Sequence, residues 1–199
     1  MTERYLIGVT GASGVIYAWT LLKAFKKLNI ETEVIVTDPG KRVWEQELGF
    51  EWTEVKRFAS KIYLEHEIDA PPASGTSNYS GMIVIPCSMA TLSAIATGAS
   101  RTLLQRSADV MLKEKKPLIL VIRETPLSLI HIKNMEMCAL AGATIFPAMP
   151  AFYLKPKSLQ ELIEGFVGRI LNFLNIRHPY AKSWEEEYKE YKSPNYSED

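Results

Sequence analysis

Two short loops offer backbone N–H groups and hydroxyl side chains, which together can hold an anion. Residues 10–14 (TGASG) follow one apolar segment, and residues 87–91 (CSMAT) follow another. Glycine allows a tight turn and a close backbone approach to phosphate at a helix N-terminus. The second loop lies within residues 70–100, which contain no charged side chain although 23% of the chain is charged. We predict a phosphate-bearing cofactor held by peptide dipoles, with a turn that binds nothing as the alternative for residues 10–14.

A second chemical feature is the pair Arg123-Glu124, which directly follows the apolar run 117–122. An arginine at the end of a strand can hold an anion or the edge of a flavin. A partly desolvated carboxyl group beside it could transfer protons, because burial raises a carboxyl pKa into a useful range. A surface ion pair is the alternative interpretation.

The histidines and cysteines do not predict metal or thiol chemistry. The three histidines form no spaced cluster, so we expect no metal site. Cys87 and Cys138 show neither metal-ligand spacing nor a CxxC motif. We interpret Cys87 as a small buried residue at a turn rather than a nucleophile.

Tyr153 and Lys157 fit the pattern Y-x-x-x-K, which is typical of short-chain dehydrogenases. That pair must lie one helical turn apart, so that the lysine can lower the pKa of the tyrosine. Pro156 lies between them and would disrupt the helix. We therefore do not favour the interpretation of this chain as a dehydrogenase.

Apolar runs and helical patterns alternate along the chain and would position these residues. Strands are predicted near 5–9, 33–37, 82–86, 117–122 and 143–146. Helices are predicted near 15–28, 38–48, 90–97, 101–114, 128–141 and 158–174. This alternation predicts an α/β fold, a Rossmann-like three-layer parallel sheet with helices on both faces. Because ligands bind beyond the carboxyl ends of such strands, loops 10–14, 37–41, 87–91, 123–127 and 147–153 are the candidates.

Two helix starts have recognisable sequence signals. Asp38 is predicted as an N-cap, with Pro39 at the first helical position. Ser158 and Glu161 have the spacing of a capping box.

Length and charge limit the remaining possibilities. We expect a single α/β domain over residues 1–180 and a tail over 181–199, which is either a solvated helix or a flap on the site or on a neighbouring subunit. The zero net charge gives no indication of a nucleic-acid or anionic-membrane partner. Prolines and glycines interrupt residues 70–100, so no membrane helix is expected. The absence of a secretory signal and the two unpaired cysteines predict a cytoplasmic location.

Several spaced segments resemble the UbiX family of flavin prenyltransferases, in the same order along the chain from about residue 5 to 184. The segments that carry the resemblance are 10–14 (TGASG), 70–75 (APPASG), 86–98 (PCSMATLSAIATG), 106–109 (RSAD), 117–126 (PLILVIRETP), 131–135 (HIKNM) and 152–153 (FY).

The resemblance implies an activity. Reduced FMN would be the substrate, and a dimethylallyl group from dimethylallyl monophosphate would be joined to its N5 and C6 atoms without a metal. The prenylated FMN would serve a partner UbiD-type decarboxylase. The resemblance also implies a homododecamer with sites between subunits.

It further implies roles for individual residues. The implied FMN-binding residues are Gly11, Ala12, Ser13, Thr37, Ser88, Met89, Ala90, Thr91 and Arg123. The implied prenyl-phosphate residues are Tyr153, Arg169, Lys113, Arg106 and, as a closing aromatic, Trp184. Glu124 would relay protons, Ser13 would assist, and Glu47 would complete the charged catalytic cluster.

Two alternatives stay open. A flavin-dependent cysteine decarboxylase would carry Ala-Asn-Thr in the second loop, where this chain has Met89-Ala90-Thr91. A non-catalytic FMN-binding subunit is the other alternative. An inactive site is disfavoured because the chain has all four of the implied reactive residues, Tyr153, Arg169, Lys113 and Glu124.

Overall fold

The computed structural model describes residues 3–180, Glu185 and Tyr188. The chain divides into two compact units after residue 148. The first unit contains the whole sheet, and the second contains a 3-10 turn and a long helix. The single domain expected over residues 1–180 stays a prediction, and so does the role of the tail.

Six parallel strands form one sheet in the order β3-β2-β1-β4-β5-β6. The strands are Arg4–Val9 (β1), Glu31–Val36 (β2), Lys61–Leu64 (β3), Gly81–Cys87 (β4), Leu118–Ile122 (β5) and Thr144–Ile145 (β6). The predicted parallel α/β fold is confirmed. The sequence analysis missed β3, because this four-residue edge strand lies in an irregular segment.

The strand interiors have the composition of a sheet that is covered on both faces. Every residue of β4 and β5 is buried, which explains their continuous apolar runs. Alternate residues such as Leu6, Met82 and Leu120 pack in one core cluster with residues from the later helices. Tyr5 points to the other face, where its ring stacks on Phe25 at 5.3 Å. Helices therefore cover both faces.

The helices begin and end within a few residues of their predicted positions. They are Val15–Lys27 (α1), Asp38–Leu48 (α2), Met89–Ala96 (α3), Leu103–Lys113 (α4), Leu129–Leu140 (α5) and Leu159–Phe173 (α6). Three 3-10 segments complete the fold: Trp52–Arg57, Pro71–Ala73 and Phe152–Leu154. In the part of the chain that the structure describes, no helix is both long and apolar enough to cross a membrane.

The helix caps differ in detail from the predicted ones. Ser158 accepts a hydrogen bond from the Glu161 N–H (3.1 Å), but the Glu161 carboxylate accepts from Lys157 N–H rather than closing a capping box. A reciprocal box occurs instead at α5, between Ser128 and His131. It was missed because histidine is not a usual partner at that position.

The strand order reverses between β1 and β4. From β1 the chain first builds outward to β2 and β3, and then returns to the other side of β1 to build β4, β5 and β6. A crevice forms at the carboxyl ends of the strands on either side of such a switch point, and it is the usual ligand site in this type of sheet.

Candidate active site

Four predicted loops lie side by side at the carboxyl edge of the sheet. In sheet order they begin at Thr37 after β2, at residue 10 after β1, at Ser88 after β4 and at Arg123 after β5. The two middle loops flank the topological switch point. The fold thus places the predicted flavin-binding segments of the first unit at one edge.

The loop after β1 is a tight turn that packs against the start of α2. The Ala12 N–H donates to the Thr10 carbonyl (2.9 Å), and Gly14 has a φ of 100°, which favours glycine. A Cβ atom on Gly11 would lie 2.5 Å from the Pro39 Cβ. Glycine at position 11 is therefore required by this close approach.

The N-terminus of α1 is occupied by a carboxylate of the chain itself. Glu47, on α2, accepts hydrogen bonds from the Gly14 N–H (2.9 Å) and the Val15 N–H (3.1 Å). These two N–H groups therefore already have an acceptor within the chain, and the FMN-binding role of residues 11–13 stays a prediction. The structure gives Glu47 a capping contact that the sequence analysis did not foresee.

The N-terminus of α2 is also filled from within the chain. The buried Thr37 hydroxyl accepts from the Gly40 N–H (3.1 Å), and the Glu65 carboxylate accepts from the Asp38 N–H (2.8 Å). The predicted Asp38 cap is wrong by one residue, because β2 ends at Val36 and Thr37 takes the extended N-cap conformation.

The loop after β4 differs from these two, because among the described residues a hydroxyl caps its helix without an additional carboxylate. The Ser88 hydroxyl accepts from the Thr91 N–H (3.3 Å) and donates to the Thr91 hydroxyl (3.2 Å). The N–H groups of Met89 and Ala90, the first two of α3, have no acceptor within the helix. Ala90 is exposed at this turn. An anion can therefore be bound here by backbone dipoles and hydroxyls.

The loop after β5 presents two exposed charged side chains. The Arg123 N–H donates to the Cys87 carbonyl (3.3 Å), which ties this loop to the end of β4. The Glu124 carboxylate accepts from the Thr125 N–H (3.0 Å). Among the described residues, Arg123 and Glu124 do not pair with each other, so the surface ion pair considered as an alternative is not formed.

Tyr17 on α1 is a residue of this edge that the sequence analysis missed. Burial raises its pKa, while the nearby positive charge of Arg123 acts in the opposite direction. The Tyr17 hydroxyl is therefore close enough to be influenced by the charge of the loop after β5, on the other side of the switch point. Its sequence signal is only an aromatic residue one turn after a glycine loop, which is too common to be diagnostic.

The structure does not bring every predicted residue to this edge. Lys113 ends α4 beside its ion-pair partner Glu114 (3.0 Å), and the following Pro117 carbonyl accepts from Met82 N–H at the amino end of β4. The seven residues of β4 separate the two edges by roughly 20 Å. Lys113 thus lies at the amino edge of its own sheet.

The other predicted phosphate ligands are placed as follows. Arg106 lies in the first half of α4 and pairs with Asp109 at 2.6 Å. Tyr153 and Arg169 belong to the second unit, where both are exposed, on a 3-10 turn and on α6. Trp184 lies outside the described residues.

Both thiols are structural. Cys87 and Cys138 are fully buried, and the Cys138 thiol donates to the Leu92 carbonyl at 3.7 Å. Burial raises the pKa of both thiols, that of Cys138 to about 11. Neither is a nucleophile at neutral pH.

The switch point and its hydroxyl-lined turn define an α/β protein of the flavoprotein class. The family model described as Flavoprotein matches residues 2–170. The flavin prenyltransferase UbiX of Halalkalibacterium halodurans is 44% identical over 92% of this chain and 94% of its own. The mitochondrial flavin prenyltransferase PAD1 of Saccharomyces cerevisiae is 42% identical over 92% and 76%. The chain belongs to the Flavoprotein family and, within it, to the UbiX-type flavin prenyltransferases.

Solved structures agree with this assignment. AnUbiX (PadA1), crystallised with FMN and dimethylallyl pyrophosphate, has a TM-score of 0.90 at 39% identity and covers 92% of this chain and 98% of its own. A dodecameric FMN-dependent UbiX-like decarboxylase from Escherichia coli O157:H7 has a TM-score of 0.88 at 37% identity, over 92% and 99%. The peptidyl-cysteine decarboxylase EpiD is 17% identical, with a TM-score of 0.59, and therefore shows the fold alone.

Proposed function

We propose that this protein is a flavin prenyltransferase that uses reduced FMN as a substrate. The C–O bond of dimethylallyl monophosphate breaks, phosphate leaves with the bonding electrons, and the C5 unit becomes attached to N5 and C6 of FMN. The prenylated FMN would then serve a UbiD-type decarboxylase. The family membership supports the reaction, and the geometry of α3 supports the binding of the flavin phosphate.

The helix N-termini at the carboxyl edge carry the argument for FMN. Glu47 and Glu65 already occupy N–H groups at the starts of α1 and α2. In the part of the chain that the structure describes, the side-chain hydrogen bonds at the start of α3 come from Ser88 and Thr91 and not from a carboxylate, so a phosphate could bind its N–H groups. We infer that Ser88, Met89, Ala90 and Thr91 hold the phosphate, because an anion is stabilised at a helix N-terminus.

The neighbouring loops would hold the rest of the flavin. Gly11, Ala12 and Ser13 lie on one side of the α3 turn, with Thr37 beyond them, and Arg123 lies on the other side. Residues 70–100, which include the α3 turn, carry no charged side chain. An allylic cation survives best where water and competing nucleophiles are excluded.

The leaving phosphate needs positive charge and hydrogen-bond donors as the C–O bond breaks. We propose Tyr153, Arg169, Arg106 and Lys113 for this role. Because Lys113 lies at the amino edge of its own sheet, it would have to act in the site of a neighbouring copy. Trp184 stays a proposed closing aromatic.

The exposed apolar surface of α5 supports the proposal that the chain forms a homo-oligomer. α5 exposes apolar side chains around Lys133, and Cys138 is its only buried residue. The exposed fractions are 70% for Leu129, 70% for Ile130, 50% for Ile132, 53% for Met137 and 78% for Leu140. We propose that a second copy of the chain covers this surface, as in a dodecamer.

Glu124 is the proposed proton relay. Bond formation at N5 and C6 removes a proton from each atom; one proton is added to the alkene carbon of the C5 unit, and the other leaves with the phosphate. The exposed Glu124 carboxylate beside the Arg123 loop can accept and return a proton. Ser13 and Glu47 are proposed to assist from the adjacent loop.

The cysteine decarboxylase is the second candidate, and the second loop disfavours it. Ala90 stands where that branch has asparagine, so no amide is present there to hold a substrate carboxylate. A cytoplasmic location stays a prediction, since the PAD1 relative is named mitochondrial.

The test is an anaerobic incubation of the purified protein with reduced FMN and dimethylallyl monophosphate, with the pyrophosphate in a parallel sample. Mass spectrometry should show a flavin that has gained one C5 unit, together with a changed absorption spectrum. Glu124→Gln should retain FMN but form the product more slowly. An unmodified flavin in both samples, or carbon dioxide release from a peptide with a C-terminal cysteine, would refute the proposal.

A further inference from the structure

The Thr10 hydroxyl links the two loops at the switch point. Thr10 is 1% exposed and follows the last residue of β1. Its hydroxyl donates to the Pro86 carbonyl at 2.7 Å and accepts from the Ser88 N–H at 2.8 Å. One oxygen atom thus makes both a donor and an acceptor contact across the switch point.

These two bonds continue the sheet where its backbone pairing stops. The register between β1 and β4 runs from Tyr5 opposite Gly81 to Gly8 opposite Val84. In a parallel pair, one residue bonds to the peptide groups on both sides of the residue that it faces. The Thr10 hydroxyl makes the same two bonds to the peptide groups on both sides of Cys87. Pro86, which lacks an N–H, can take part only through its carbonyl.

Thr10 also shapes the loop that follows it. Its backbone carbonyl accepts the Ala12 N–H at 2.9 Å, so the residue that bonds to the second loop also closes the turn of the first. Thr10 is therefore bonded both to the turn at residues 11–13 and, through its side chain, to Pro86 and Ser88 at the second loop.

We propose that Thr10 is a positioning residue that sets the distance between the two FMN-binding loops; this rests on the proposed flavin prenyltransferase function. The residue acts through Gly11, Ser88 and their neighbours rather than by touching substrate. Loss of its hydroxyl removes this partner from the buried Pro86 carbonyl and from the half-buried Ser88 N–H. The loops must then shift to satisfy those groups, and misplacement by about 1 Å is enough to impair a site.

The test compares substitutions that differ by one oxygen atom. Thr10→Val keeps the shape of the side chain but removes the hydroxyl, and Thr10→Ser keeps the hydroxyl. We expect Thr10→Val to weaken FMN binding roughly fivefold or more, because one unsatisfied buried group costs at least about that factor. Thr10→Ser should stay within about threefold of the wild type. FMN affinity is measured by quenching of flavin fluorescence, and folding by urea denaturation.

Thr32→Val is the matched control. Thr32 is also 1% exposed, and its hydroxyl donates to the Phe58 carbonyl (3.4 Å) near the amino edge of the sheet. This substitution should lower stability without changing FMN affinity. In steady-state assays, Thr10→Val should raise the KM for FMN more than it lowers kcat at saturating FMN, whereas a purely structural role predicts equal behaviour of both valine variants.

The outcomes separate the two proposals. If the wild type binds no FMN, the proposed function fails. If the wild type binds FMN and folded Thr10→Val binds it equally well, the role of Thr10 is refuted. If Thr10→Val does not fold, Thr10→Ser and Thr10→Ala are compared instead, because they also differ only by the hydroxyl oxygen. Equal FMN affinities of those two variants refute the role of Thr10. A Thr10→Ser variant as weak as Thr10→Val also refutes it.

Discussion

Glu33 is the one charged side chain that the described part of the chain buries, at 6% exposure. Its carboxylate accepts hydrogen bonds from the hydroxyls of Tyr63 (3.0 Å) and Tyr79 and from the Arg4 guanidinium (3.2 Å). Arg4 also lies over the Tyr79 ring, 4.5 Å from its centroid. This cluster joins β1, β2 and β3 to the loop that leads into β4, at the edge of the sheet opposite to the candidate site.

We predict that Glu33→Gln lowers the free energy of unfolding by about 2 kcal/mol at pH 7, because it removes hydrogen bonds to a charged acceptor. FMN affinity should not change, since the cluster lies at the other edge. Urea denaturation and flavin titration measure the two quantities. A variant with normal stability would show that the cluster contributes little.

The same cluster predicts an alkaline dependence. Burial, followed by the hydrogen bond to Glu33, raises the pKa of Tyr63 to about 12 and also raises the pKa of Tyr79. A raised pKa means that the folded chain keeps phenol protons which the unfolded chain has released. The contribution of these protonated tyrosines to the free energy of unfolding is therefore complete below about pH 10, and it is lost as the pH rises through about 12.

Urea denaturation between pH 9 and pH 12 should accordingly show a decline of the unfolding free energy in the wild type. The decline should be smaller in Glu33→Gln, because one cause of the raised pKa values is absent. Comparison of the two proteins removes the contribution of groups that titrate in both. Equal declines would contradict the prediction.

At the scale of elements, the helices at the carboxyl edge are distinguished by what caps them. Glu47 bonds to the start of α1, Glu65 and Thr37 to the start of α2, and Ser88 alone to the start of α3. Since each carboxylate neutralises the positive end of a helix dipole, α3 is the one of these three helices that keeps its positive end. The caps therefore favour α3 over α1 and α2 for binding a phosphate.

We predict that Glu47→Ala destabilises the protein by about 1 kcal/mol, because two N–H groups of α1 lose their acceptor. Glu47→Gln should cost less, since its amide oxygen can still accept. Gln46→Ala, one residue earlier on the exposed side of α2, is the control and should be nearly neutral. The measurement is the midpoint of urea denaturation, and equal midpoints for all three variants would refute the capping role.

At the scale of the whole molecule, a single chain does not collect all the predicted site residues. Lys113 lies at the amino edge of the sheet, and the apolar residues of α5 are exposed. Both observations are explained together if several copies assemble, because a neighbouring copy can supply Lys113 while α5 becomes buried. An apolar surface of this kind is unusual on a monomer.

We predict that Leu140→Glu or Ile130→Glu reduces the mass of the assembly, because a charge at a buried apolar interface is costly. Light scattering after size exclusion measures the mass. Ile68→Glu, at an exposed apolar residue outside α5, should leave it unchanged. An unaltered assembly in both α5 variants would exclude this surface as the interface.

Much of the fold and part of the site follow from local sequence. Alternating apolar runs and helical patterns predict the parallel sheet, and parallel strands place all their carboxyl ends at one edge. The hydroxyls and glycines after β1 and β4 could therefore be assigned to one site. The motifs also identified the family. The short strand β3 was missed, since four residues in an irregular segment give no periodic signal.

Only the tertiary structure decided which groups meet at that edge. Glu47 caps α1 from 33 residues away, and Thr10 bonds to Pro86 and Ser88 across 76 and 78 residues. Such contacts depend on strand order, because β4 pairs with β1 and not with β3, its predecessor in the chain. The sequence by itself determined which residue types follow each strand. The order of the strands decided which helix N-termini meet at the switch point and which hydroxyl joins the two loops.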